Sequence, residues 1–225
     1  MIGTLVNALA IIAGGTAGGL LKERFSPGIK DTVIKGVSLA VILIGLQMAL
    51  ETNSILIVIF SLVLGGIIGE LVGLEKWLNR AGQFAEKMFK KGDGVARAFV
   101  QCSLIYCVGA MAVMGAIQDG LNGNPSTLYA KAMLDGFSAI AFGSTLGLGV
   151  VLSAIPVLLY QGAISLLADW AAVFLTDPIV TEMTATGGLL IVGIGLNILE
   201  ITEIKVGNLL PAIFVAIILT GIFPG

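Results

Sequence analysis

A chain of 225 residues that is 57% apolar and only 12% charged, with a mean hydropathy of +1.04, has too little polar surface to coat a water-soluble globule; ordinary soluble domains are about 45–50% apolar and about 25% charged. The net charge of −2 says little by itself, because a bilayer sorts basic residues by side and not by sum. Histidine is absent, which removes the commonest general base and metal ligand, and Cys102 and Cys107, about 140° apart on a helix, read as inert buried thiols and not as a disulfide or metal pair.

Eight apolar segments follow one another, at residues 3–21, 33–50, 55–73, 97–118, 131–152, 155–175, 186–201 and 206–223. Each is expected to be a helix, since a backbone in hydrocarbon must satisfy its own hydrogen bonds. The fold expected is therefore all-α: a polytopic transmembrane bundle of seven or eight helices, forming a single integral-membrane domain over residues 1–225. The opening "MIGTLVNALAIIAGG" has no basic stretch before its apolar run and reads as a first membrane helix, not a cleaved signal. "GGTAGG" (Gly14 to Gly19) holds two overlapping G-x-x-x-G patterns. No Lys-Ser/Thr follows it, so close helix packing is the reading and not a nucleotide loop.

The connection from Leu21 to Lys35 is basic, with Pro27–Gly28 as a turn. In the second segment, "ILIGLQMALE" places the primary amide of Gln47 among Ile, Leu and Met. The third segment repeats glycine at 65, 69 and 73. Residues 74–97 form the most polar stretch. Its Leu78, Phe84, Ala85, Met88 and Phe89 share one side of a helix, with charges opposite and Trp77 at the interface, the pattern of an amphipathic helix on the membrane surface. "DGLNGNPST" (Asp119 to Thr127) and "TDPIVTE" (Thr176 to Glu182) read as turns without a basic residue. With the N-terminus outside and each segment crossing once, Lys22, Arg24, Lys30, Lys35, Lys76, Arg80, Lys87, Lys90, Lys91, Arg97 and Lys205 fall inside and only Lys131 outside. Cytoplasmic loops carry the excess of Lys and Arg, so the basic loops 22–35 and 76–97 are expected in the cytoplasm.

"LAVILIGLQMAL" from Leu39 resembles "LLIVGIGLNIL" from Leu189 at a constant offset of 150, which sets Gly45 on Gly195 and Gln47 on Asn197. Val6 to Pro27 has the same spacing as Val157 to Pro178. Residues 1–73 thus resemble residues 155–225, joined by the connection 74–97 and the central helices 98–154. The topology makes the two triplets run in opposite directions, the inverted repeat that builds many secondary transporters. Gln47 and Asn197 become a pseudo-symmetric amide pair that either lines a polar path or bonds neighbouring helices together.

The central segments are dense in glycine and hydroxyls, including Gly136, Gly143, Gly147, Ser144 and Thr145. Such segments form broken or re-entrant helices around a cavity, or tight small-residue packing faces. Asp119, Asp135 and Asp169 lie in or beside them, and an acid within a membrane segment is a functional candidate. Lys131 stands one helical turn before Asp135 and can neutralise it. Gln118, Gln161, Asn7, Gln101 and Tyr160 add amides and a phenol. The substrate- or ion-contacting set expected is Gln47, Asn197, Gln118, Asp119, Lys131, Asp135, Ser144, Thr145 and Gln161, with no catalytic residue, no metal and no cofactor.

"DGLNG", "KAMLDGFSAIAFGSTLGLGV", "SAIPVLLYQG" and the opening "GTLVNALAIIAGGTAGGLL" resemble the bacterial domain-of-unknown-function 554 family of multi-pass inner-membrane proteins. The resemblance covers nearly the whole chain and is most specific from Asp119 to Gly162. It implies an inner-membrane location and places Asp119, Gly120, Lys131, Asp135, Gly136, Gln161 and Gly162 on the family's motifs. It implies no substrate.

Two functions from different classes follow. The first is a secondary transporter or channel for a small solute or ion. The second is a non-transporting scaffold or sensor whose basic helix, Glu75 to Lys91, binds a cytoplasmic partner or anionic lipid. An enzyme is not expected, because no nucleophile stands beside a base. The partners expected are the lipid bilayer and a small solute or ion, with no nucleic acid. The glycine-rich faces would serve a homo-oligomer or packing within one chain equally. The orientation has a direct check. In a chain whose own two cysteines are replaced, Gly123→Cys reacts with a membrane-impermeant maleimide on intact cells and Lys91→Cys reacts only after permeabilisation; the opposite pattern inverts the topology.

Overall fold

The computed structural model describes residues 1–22, 26–77, 80 and 95–223, and among these there is no strand. The helices are α1 (Ile2–Lys22), α2 (Pro27–Ala49), α3 (Ile55–Val72), α4 (Val95–Cys107), α5 (Ala110–Asn122), α6 (Ser126–Leu146), α7 (Gly149–Leu152), α8 (Ala154–Leu166), α9 (Ala168–Phe174), α10 (Asp177–Ile198), α11 (Val206–Leu209) and α12 (Pro211–Ile222). Among the described residues, five stretches are long and apolar enough to cross a membrane: 2–21, 31–49, 55–72, 149–166 and 177–198. A sixth is added if α4 and α5, bent by 61° to each other, form one broken span. At 21 residues α6 is long enough, but Lys131 and Asp135 lower its apolarity, and residues 206–222 form a shorter apolar helix.

Several expected boundaries move, each for a local reason. The segment expected at 97–118 is interrupted at Val108–Gly109, where Gly109 takes φ of 130°, a conformation that costs a side-chain-bearing residue dearly. The segment expected at 131–152 ends at Leu146, and the chain restarts as α7. The last helical pair breaks before Pro211, whose ring lacks the N–H that a continuous helix needs. The segment expected from 186 instead starts at Asp177, so "TDPIVTE" is the first turns of α10 and not a loop. Thr176 is extended, Pro178 lies in the first turn and Asp177 stands there too, which suits the orphan N–H groups and positive end of a helix.

The chain forms two compact units. Unit 1 comprises residues 1–37, 79–107 and 111–173; unit 2 comprises 38–78, 108–110 and 174–225. In unit 1, α1 and α6 run parallel. Gly3 meets Leu128, Gly14 meets the Gly136 carbonyl and Gly18 meets the Ile140 carbonyl. α1 runs antiparallel to α7 and α8, with Gly15 at Val151 and Met1 at Gly162. α8 also holds α5, where Ser165 Oγ donates to the Ala116 carbonyl at 2.9 Å and Gly120 lies on the Ser165 carbonyl.

In unit 2, α2 and α10 are antiparallel. A methyl group on Gly45 would lie 2.6 Å from the Gly188 carbonyl oxygen and 2.7 Å from the Val192 nitrogen. One on Gly195 would lie 3.1 Å from the Ser38 carbonyl oxygen and 3.2 Å from the Ile42 nitrogen. α3 and α12 are antiparallel as well, with Gly65 against Ala212 and Gly69 against the Asn208 backbone.

The distribution of side chains is the reverse of a soluble domain. α3 buries Ile57, Val58, Ser61, Gly65 and Gly69, yet exposes Leu56, Phe60, Val63, Ile67 and Leu71, the last at 84%. The small residues Ser61, Gly65 and Gly69 face protein while most of the large apolar ones face outward, the arrangement expected when the surroundings are hydrocarbon. The glycine contacts generate a stability test. Gly69→Ala drives a methyl into the Asn208 backbone and is expected to cost about 1–3 kcal/mol by overpacking. Gly28→Ala meets nothing within 4 Å and should leave the melting temperature in detergent unchanged. Equal melting temperatures for the two variants would contradict the packing.

Candidate functional site

The site is built on the α1·α6 contact in unit 1. Glycines at 14 and 18 of α1 let the two backbones approach, which brings the polar residues nearer the start of each helix face to face. On α6, Lys131 and Asp135 are one turn apart. Lys131 Nζ bonds both carboxylate oxygens of Asp135, at 3.0 and 2.8 Å. Both side chains are buried, at 8% and 9% exposure. On α1, Asn7 faces the Asp135 carboxylate and donates from Nδ2 to Gln161 Oε1 of α8 at 3.3 Å. Asn7 and Gln161 are completely buried. Tyr106 at the end of α4, also completely buried, faces Ser138 and Cys102.

Most of this cluster's hydrogen-bonding capacity is unspent. Asn7 Oδ1, Gln161 Nε2, Thr4 Oγ1 and the Tyr106 hydroxyl are all buried without a partner. Thr4 is one turn from Asn7 on the same face of α1. A buried polar atom left unpaired costs about 1–3 kcal/mol, and native structures carry few of them. Asn7 and Gln161, bonded to each other beside a buried ion pair, each keep one such atom, and there a polar guest would find partners. The guest can be water or solute, provided it both accepts from an amide N–H₂ and donates to an amide oxygen.

Ser61, Gln101, Thr184 and Thr186 also each leave one buried polar atom without a partner, whereas the buried carboxylates outside the cluster are engaged. Asp119 accepts from the Gly3 N–H at 3.0 Å and pairs with the Met1 amino group at 2.9 Å. In unit 2, Glu182 is 3% exposed. It accepts from Thr52 Oγ1 at 2.6 Å and from the Asn53 and Ser54 N–H groups at 2.8 and 3.1 Å, holding the turn between α2 and α3. Those three donors explain why a carboxylate is tolerated inside α10. At the other end of the same unit, Asn208 accepts from the Glu75 N–H at 2.7 Å and donates to Glu70 Oε2 at 2.5 Å, while Lys205 bonds Glu70 Oε1 at 3.1 Å.

The residues singled out from the sequence fall into three groups. Lys131, Asp135 and Gln161 meet in the cluster just described. Gln118 and Asp119 are occupied elsewhere in unit 1, Gln118 accepting from Thr127 Oγ1 at 2.7 Å. Ser144 and Thr145 are buried but donate back to carbonyls of their own helix, Ala141 for Ser144 and Ala141 with Phe142 for Thr145. Gln47 and Asn197 are not brought together. With Gly45 at Gly188 and Ser38 at Gly195 in an antiparallel contact, Gln47 lies beyond one end and Asn197 beyond the other. Gln47 is exposed. Asn197 holds the turn after α10, donating to the Ile204 carbonyl at 2.7 Å and accepting from the Ile204 N–H and Thr202 Oγ1, both at 2.9 Å. Leu78, Phe84, Ala85, Met88 and Phe89 of the expected amphipathic helix lie outside the described residues. Thr4, Tyr106 and Glu182 were not among the sequence candidates. A lone hydroxyl in an apolar run carries no signal, although Glu182 six residues into an apolar stretch could have been weighed as an intramembrane acid.

Apolar helices of membrane-spanning length, large side chains turned outward and polar ones turned inward define a polytopic helical membrane protein. The chain belongs to the family described as Protein of unknown function (DUF554), whose model matches residues 2–221. It is 31% identical over 226 residues to the uncharacterized protein YqgA of Escherichia coli (strain K12), covering 96% of this chain and 94% of that protein. It is 30% identical over 220 residues to the uncharacterized membrane protein YdfK of Bacillus subtilis (strain 168), covering 96% and 93%. No solved structure matches.

The buried pair yields a non-additive prediction. Lys131→Met alone leaves the Asp135 carboxylate without its counter-charge and should cost about 3–5 kcal/mol. Lys131→Met with Asp135→Asn together should cost distinctly less than either single change, read as melting temperature in detergent. Simple additivity of the two losses would show that the pair is not coupled.

Proposed function

We propose that this protein is a secondary transporter or channel for a small solute or ion in the bacterial inner membrane, with its N-terminus outside and its binding site at Asn7, Lys131, Asp135 and Gln161. The observation that carries this reading is the half-used amide pair beside a buried ion pair in a chain of membrane helices. The other intramembrane carboxylates, Asp119 and Glu182, and the amide of Asn197 are satisfied within the protein, whereas Asn7 and Gln161 each keep an open atom.

The inverted-repeat reading receives support from reciprocal contacts. At the offset of 150, Ser38, Ile42 and Gly45 correspond to Gly188, Val192 and Gly195. The approach of Gly45 to Gly188 and Val192 then has its mirror in the approach of Gly195 to Ser38 and Ile42. Two segments related by a two-fold axis must touch reciprocally. The pairs α1 with α8 and α3 with α12 are antiparallel too, as opposite-facing triplets require. Each triplet is divided alike, with α1 and α8 in unit 1 and α3 and α12 in unit 2. Many transporters bind substrate in such an arrangement and expose it alternately to each side.

Reconstitution into proteoliposomes tests the proposal. At least one solute from a panel of cations, anions, amino acids and small neutral compounds should cross faster than in protein-free vesicles. Gln161→Leu, verified as folded by gel filtration, should slow it about fivefold to thirtyfold, the worth of one or two hydrogen bonds at about 1 kcal/mol each. Absence of flux across the whole panel with folded protein would overturn the proposal.

A further inference from the structure

The charges and the unpaired atoms of the unit 1 cluster differ in one respect that bears on substrate. Both oxygens of Asp135 accept from Lys131 Nζ, so the two formal charges are spent on each other at hydrogen-bond distance. Of the residues that face the pair or its amides, Asn7, Gln161, Tyr106, Ser138 and Cys107, none carries a third formal charge, and Thr4 lies one turn from Asn7 on α1. What remains on offer is uncharged: an amide oxygen on Asn7, an amide N–H₂ on Gln161 and hydroxyls on Thr4 and Tyr106.

A bare ion entering such a place would have to break the Lys131–Asp135 pair or remain without a counter-charge in a low dielectric, and either course is expensive. A neutral molecule with its own donor and acceptor loses only hydrogen bonds to water and regains them on the amides and hydroxyls. A site built from polar partners also discriminates against molecules lacking them, because the unused partners stay unpaired.

We infer that the cluster formed by Thr4, Asn7, Tyr106 and Gln161 beside the closed Lys131–Asp135 pair takes a small uncharged solute of amide or polyol character, and that its passage is electroneutral. This rests on the transport reading above and narrows its substrate class. The Lys131–Asp135 pair serves to orient Asn7 and does not meet the solute's charge.

The test uses the full chain in proteoliposomes, with urea, acetamide and glycerol as probes, followed by stopped-flow light scattering. Sodium, potassium and chloride fluxes are measured in the same vesicles. At least one neutral probe should enter several times faster than in protein-free vesicles, at a rate unaffected by a valinomycin-imposed potential. Gln161→Met and Asn7→Leu, if folded by gel filtration and circular dichroism, should each slow it, while Gly28→Ala, where an added methyl meets nothing within 4 Å, should leave it unchanged. Ion flux that falls in Gln161→Met, without neutral permeation, overturns the substrate class and leaves transport standing. Potential-dependent entry of the probe, or undiminished entry in both folded Gln161→Met and folded Asn7→Leu, also overturns the class. No flux of any kind overturns both.

Discussion

Lipid tails are as apolar as leucine, so burying leucine against leucine gives membrane helices no reason to associate. What holds this chain together is the close approach of backbones where side chains are small. Gly14 and Gly18 of α1 lie on carbonyls of α6, Gly45 and Gly188 lie on each other's helices, and Gly65 and Gly69 lie on Ala212 and Asn208. Each glycine gives up a side chain so that dispersion contacts along whole helix faces can form. The large residues removed from those faces turn outward, where the hydrocarbon receives them at no cost.

The same constraint makes each buried polar group informative. Water is not present in the hydrocarbon to satisfy a stray amide or carboxylate. The chain handles most of its polar groups by turning them onto backbone. Glu182 holds one turn of unit 2, Asn197 and Asn208 hold others, and Ser144 and Thr145 fold back on α6. Single unpartnered atoms also occur at Ser61, Gln101, Thr184 and Thr186, but around Asn7 and Gln161 two bonded amides each keep an open atom beside a buried ion pair. The parallel packing of α1 on α6 is what creates this patch, since the glycines that draw those helices together also press Asn7 towards Asp135.

Much of the architecture was legible in the residues. Segment lengths and apolarity announced an all-helical membrane protein, the G-x-x-x-G runs announced close packing, and Lys131 with Asp135 at one-turn spacing announced an ion pair. The errors came from reading polarity locally. Glu182 made "TDPIVTE" look like a loop, because its three partners lie 128 to 130 positions away in sequence. Gln47 and Asn197 matched as letters, yet one is exposed and the other holds a turn. Equivalence in sequence carries no information about which way a side chain points once neighbouring helices are in place.

Composition and periodicity by themselves determined the solvent, the class of fold and the residue types at the helix contacts, because transfer into lipid is a property of single segments and depends little on their neighbours. Only the tertiary structure decided which polar side chains are spent and which are free. That outcome depends on pairings such as Asn7 with Gln161, 154 positions apart, and a hydrogen bond exists only when both partners have been brought to the same place.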